Sequence, residues 1–219
     1  MLLPILLGLG VLALIIAVIL MVRAVERART AALQQASLTL GFDFSAEGDL
    51  DQMKALGDLP LFNQGHSRQV KNVLSGRTGA GEARIFDYRY TTGSGKHSST
   101  WHLTVALYPR AAVGLPDFVL LPESAVLDKI YKLFGYQDID FEASPVFSAR
   151  YLLRGADETA IRSAFTASTL AALEQTQGWN VEVQSGNVGI YRAGKRVKPQ
   201  EMAIFLEQSQ AVLRAIAPR

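Results

Sequence analysis

The chain has 219 residues, a formal net charge of +2 and a mean hydropathy of +0.15. Hydrophobic residues make up 49% and charged residues 19%, which excludes a disordered or collagen-like polymer and leaves room for one ordinary domain with an appendage. So small a net charge supplies no long-range field toward nucleic acid, and none is expected as a partner. The absence of cysteine removes disulfides, thiol nucleophiles, thiolate metal sites and lipid-modified cysteine.

The first 22 residues hold 19 apolar side chains and no charge. Residues 2–22 form a helix of about 31 Å, close to the ~30 Å hydrocarbon core of a bilayer. Pro4 falls in the first turn, where its missing N–H is harmless. A cleaved signal peptide would have a basic start and a small-residue cleavage site, and neither is present. The stretch is therefore expected to be a signal anchor that contacts the lipid bilayer through residues 2–22. Arg23, Arg27 and Arg29 follow it, and no basic residue precedes it. The positive-inside rule then predicts an inner-membrane protein with its N-terminus outside and its C-terminal domain in the cytoplasm.

Three segments are expected: an anchor over 1–22, a juxtamembrane helical stalk over 23–40 ended by Gly41, and a soluble domain over 41–219. Phe42-Asp43-Phe44 alternates like a short strand, and residues 51–56 read as a turn or two of helix. Runs at 69–74, 83–91 and 99–108 are β-type and separated by glycine-rich turns. In the second, Phe86, Tyr88 and Tyr90 alternate with Asp87 and Arg89, which predicts a half-exposed strand. In the third, Trp101, Leu103, Val105 and Leu107 alternate with His102 and Thr104. A fourth strand is expected over 118–121 and another over 149–153. Helices are expected over 124–134, after Asp157 and after Thr166. A hairpin follows around Ser185-Gly186-Asn187, and Pro199 opens an amphipathic C-terminal helix. This order predicts an α+β fold: an antiparallel-sheet domain with flanking helices and a C-terminal amphipathic helix. The alternative is a small barrel of the pleckstrin-homology type plugged by that helix.

No complete catalytic constellation emerges, so no catalytic residue, metal ligand or cofactor is assigned. The segment 91–96, TTGSGK, lacks the glycine and the hydroxyl residue of a phosphate-binding loop and leads into a strand, so it reads as a hairpin loop. The D-x-D pairs Asp49/Asp51 and Asp138/Asp140 occur at the frequency of chance, and the acidic alternation around Asp138 reads as a solvated edge. His66, His97 and His102 lack helical metal-binding spacing. Arg192, Lys195, Arg196 and Lys198 fall within seven residues and are the candidate contact with an anionic surface, because cations held near a bilayer gain from its negative potential. Trp101 and Trp179 read as core.

Phe86 to Lys96 (FDYRYTTGSGK), Gly135 to Phe141 (GYQDIDF) and Tyr151 to Gly155 (YLLRG) together resemble an uncharacterised group of bacterial proteins. These have one N-terminal transmembrane helix and one soluble α+β domain. The resemblance implies that architecture and brings no activity, cofactor or site. The expectation from sequence is a membrane-anchored binding or scaffolding module for a protein partner or for anionic lipid head groups. The alternative is a membrane-tethered, carboxylate- or metal-dependent transferase or hydrolase that uses Asp87, His97, Asp138 and Asp140.

Overall fold

The computed structural model describes residues 2–123 and 137–217, with side chains from residue 8 onward. Leu-, Ala- and Arg-rich sequence carries α1 unbroken over Leu2–Leu40, through Gly8 and Gly10. It stops at Gly41, whose φ of +67° suits the left-handed cap position. There Gly41 N–H donates to the Leu38 carbonyl and Phe42 N–H to the Ser37 carbonyl, the paired bonds of a Schellman ending. Side chains over 8–22 are exposed, so this half of α1 is long and apolar enough to cross a membrane and finds no protein to bury it. The other half behaves differently: Leu33 and Ser37 are both 1% exposed. The segment expected as a stalk is thus packed into the core over its last turns.

After α1 the chain forms β1 (Asp43–Glu47), α2 (Leu50–Leu56) and a 3-10 turn (Pro60–Asn63). A long meander follows: β2 (His66–Thr78), β3 (Gly81–Thr92) and β4 (Ser99–Tyr108). Then come β5 (Phe118–Pro122), α3 (Pro145–Ser148), β6 (Tyr151–Arg154), α4 (Glu158–Ala164) and α5 (Ala167–Glu174). The hairpin β7 (Asn180–Gln184) and β8 (Asn187–Tyr191) precedes α6 (Met202–Ile216). The helix expected over 124–134 lies outside the described residues. Asp49, Asp157 and Thr166 cap α2, α4 and α5 by accepting backbone N–H groups of their first turns.

All described strands pair antiparallel in one eight-stranded sheet of order β1-β2-β3-β4-β8-β7-β5-β6. The sheet is open, with β1 and β6 at its edges, so the fold is α+β and the closed-barrel alternative is not realised. Strand alternation sends side chains to two separate cores. On one face α1, α5 and α6 cover Ile85, Ala106, Val181 and Ile190. On the other, the 50–63 segment covers Phe86, Tyr88, Val105 and Leu107. Phe62, Tyr88, Tyr90 and Trp101 form a ring series there, with successive centroids 5.5, 5.8 and 6.5 Å apart. Glu182, fully buried, accepts from Leu61 N–H at 2.9 Å and from the Tyr191 hydroxyl at 2.7 Å, fixing the 3-10 turn to the sheet. Burial without these donors would be costly for a carboxylate.

Candidate functional site

The polar face of β3, expected to be half-exposed from its alternation, is covered at Asp87 while Arg89 on the same face stays exposed. Asp87 is 7% exposed because α1 lies across it. The carboxylate collects five donors. Arg29 grips it in a fork, Nε to Oδ2 at 2.8 Å and Nη2 to Oδ1 at 2.7 Å. Asn72 Nδ2 donates at 2.9 Å, Thr104 Oγ1 at 3.1 Å and Arg196 Nη2 at 3.2 Å. Two features of the sheet deliver these partners. Thr104 sits opposite Asp87 in the β3–β4 register. Asn72 lies in a register shift between Lys71 and Leu74, with φ of +51°, and this bulge turns its amide toward Asp87.

Arg196 extends the network back to α1. It makes a second fork with Glu26, Nη1 to Oε1 at 2.7 Å and Nη2 to Oε2 at 2.9 Å. Val197 N–H donates to Thr104 Oγ1 and Thr104 N–H to the Lys195 carbonyl, which ties the loop carrying Arg196 to β4. Planar guanidinium forks of this kind are the strong, directional form of ion pairing. Two turns of α1 beyond the apolar span are therefore held to the sheet at two points, Glu26 and Arg29.

Electrostatics follow from this geometry. Burial pushes the Asp87 carboxyl up, but the hydrogen bonds and charges of Arg29, Asn72 and Arg196 outweigh it and hold the group below the usual carboxylate range. The Arg196 hydrogen bonds hold Glu26 below that range too, against the opposing effect of partial burial. His102 is held below the ordinary imidazole value by burial and by the nearby cations Arg196 and Arg89.

A groove of about 710 Å³ opens beside this network. One wall is the α1 stripe Val22, Arg23, Glu26, Arg27, Thr30 and Gln34. The floor and the other wall come from Glu47 of β1, Gln69 and Lys71 of β2, Asp87 and Arg89 of β3, His102 of β4 and Arg196. Asp87, Arg89, Lys71, Gln69 and His102 share a sheet face because Lys71 pairs with Asp87, Gln69 with Arg89, and Arg89 with His102.

The residues singled out from sequence are scattered. Asp87 and Arg196 meet in the network. Arg192 stacks on Trp179 at 4.1 Å and reaches Gln208. Lys198 makes an exposed pair with Glu201 at 3.6 Å, and Lys195 is exposed. His97 lies in the exposed turn between β3 and β4. Asp138 flanks β6, accepting from Leu153 N–H at 2.8 Å, and burial raises its carboxyl above the ordinary value. Since β6 is five strands from β3, Asp138 and Asp140 stand about 25 Å along the sheet from Asp87. Arg29, Glu26, Asn72, Arg89 and His102 were not singled out as site residues. The available signal was the run of charges just after the apolar span together with an Asp inside a strand.

No protein-family model matches the chain, and no curated protein matches it. Among solved structures it is similar to the mycobacterial trehalose monomycolate transport factor A, TtfA. That likeness has a TM-score of 0.56 at 14% identity and covers 88% of this chain and 97% of the other. It establishes a shared fold.

Proposed function

We propose that the chain is a single-pass inner-membrane protein whose cytoplasmic α+β domain is a non-catalytic binding or scaffolding module, receiving a protein partner or anionic lipid at the bilayer surface. The observation that carries this reading is the unbroken path from an apolar, uncovered helix into turns forked to the sheet through Arg29–Asp87 and Glu26–Arg196. A helix so fixed sets the height and orientation of the groove relative to the membrane. Fixed placement favours recognition of something at that surface. The basic residues after the span support an N-outside, C-inside orientation. Lys195 and Lys198, exposed beside the fixed Arg196 and Arg192, extend the same cationic character away from the groove. TtfA is named a transport factor, and the shared fold is compatible with an anchored accessory role here.

Two measurements test the reading. The full-length protein should resist carbonate extraction from membranes, and its domain should be digested by protease in inverted vesicles but not in spheroplasts. A photo-crosslinking residue at Gln69, on the groove floor, should capture a discrete lipid or protein species in cells that the same residue at Arg77 does not. Digestion in spheroplasts refutes the orientation, and equal capture at both positions refutes the binding module.

A further inference from the structure

The groove has a charge balance and a depth that specify its occupant, and the inference rests on the membrane-anchored reading above. Its lining holds five cations, Arg23, Arg27, Lys71, Arg89 and Arg196, against three anions, Glu26, Glu47 and Asp87. Each anion is already engaged: Glu26 and Asp87 by Arg196, Asp87 also by Arg29, and Glu47 by Lys71 at 3.6 Å. Among the described residues no carboxylate pairs with Arg23, Arg27 or Arg89, and all three are exposed. The surplus positive charge is therefore concentrated in one groove, with Arg89 on the sheet side and Arg23 and Arg27 on the α1 rim.

That rim lies at a particular depth. Val22, the last residue of the apolar span, itself lines the groove. Arg23 and Arg27 follow it by about 1.5 and 7.5 Å along the helix axis. The polar layer on each side of a bilayer is about 5–7 Å thick. The two arginines thus bracket the layer in which phospholipid phosphates sit, and Arg89 faces them from β3. Val22 places one end of the groove next to the apolar span, and its volume of about 710 Å³ is ample for a head group.

We propose that this groove holds the head group of an anionic phospholipid drawn from the leaflet on the domain's side. Arg23, Arg27 and Arg89 grip the phosphate, and Gln69 and His102 hydrogen-bond the head group's polar substituent. The network Glu26–Arg196–Asp87–Arg29 serves as a rigid, charge-balanced floor that sets the spacing of the gripping cations.

Native mass spectrometry of the full-length protein in non-ionic detergent tests this, with phosphatidylglycerol and phosphatidylcholine of matched chains as probes. One phosphatidylglycerol adduct should dominate and outlast phosphatidylcholine on activation. A cation near anionic lipid is worth roughly fivefold, so the double variant Arg27→Ala/Arg89→Ala should weaken the adduct about 25-fold. Arg77→Ala, at the opposite end of β2, should leave it unchanged. Both mutated side chains are exposed, so an unaltered urea midpoint certifies the fold of the double variant. Equal retention of the two lipids, or equal loss in Arg77→Ala, overturns the proposal. So does displacement of the lipid by millimolar inorganic phosphate, which would make the site one for a soluble anion, and so does capture at Gln69 of protein alone. None of these outcomes touches carbonate-resistant anchoring, so the lipid site and the anchor fail separately.

Discussion

Replacing Asp87 by Asn tests whether the buried carboxylate holds α1 to the sheet. The substitution keeps shape and Oδ1 but puts an NH₂ group where Oδ2 accepted from Arg29, Asn72 and Arg196. Three donors then face a fourth, and Arg29 and Arg196 lose their shared counter-charge. Breaking one partner of a buried ion pair costs about 3–5 kcal/mol. Here the side chains of Arg29 and Arg196 are 12% and 23% exposed, so both can turn partly toward water. Arg196 also retains Glu26. The expected loss is therefore at the lower end, about 3 kcal/mol, or more than a hundredfold in the unfolding equilibrium. Urea unfolding of the full-length protein in non-ionic detergent, followed by Trp101 and Trp179 fluorescence, reads it directly. A fall in midpoint at unchanged m-value is the predicted result. A variant within about 0.5 kcal/mol of the parent, as for an ordinary surface change, would refute the role assigned to Asp87.

The same network fixes the acid limb of stability. Asp87 and Glu26 titrate below their ordinary values when folded, so the unfolded chain binds protons more readily and stability rises with pH in that interval. Their contribution is complete above the ordinary carboxylate values of about 4 and is lost as pH falls through the depressed folded values. Asp87→Asn should flatten the pH dependence of the urea midpoint below about pH 4, and an unchanged acid limb contradicts the linkage. Leu33→Ala removes the side chain that is 1% exposed under α1 and should cost about 2–5 kcal/mol. Hydrogen exchange over residues 29–40 should accelerate in that variant more than exchange in β7 and β8; uniform acceleration would mean that α1 does not separate from the sheet as a unit.

Much of this architecture is local in origin and can be read from the residues. An uncharged apolar stretch of lipid length has one favourable environment whatever follows it. Strand alternation, glycine-marked turns and the caps Asp157 and Thr166 act over two to four residues, and the corresponding described elements stand where they were expected. Asp87 shows where such reading stops. Alternation with Phe86 and Tyr88 correctly puts it on the opposite face of β3, but whether that face meets water or a helix depends on an element 58 residues away. Arg29 and Arg196 come to the same carboxylate from separations of 58 and 109 residues, and no spacing rule connects them. Asn72 reaches it through a bulge whose register only the paired strand defines. The sequence by itself determined the long apolar helix, most of the element order and the faces of the strands, because each is set by near neighbours or by solvent. The tertiary structure alone decided which polar face α1 would cover, which charges would be neutralised there, and which three arginines beside it would remain exposed without a carboxylate partner, because those outcomes depend on contacts between distant segments.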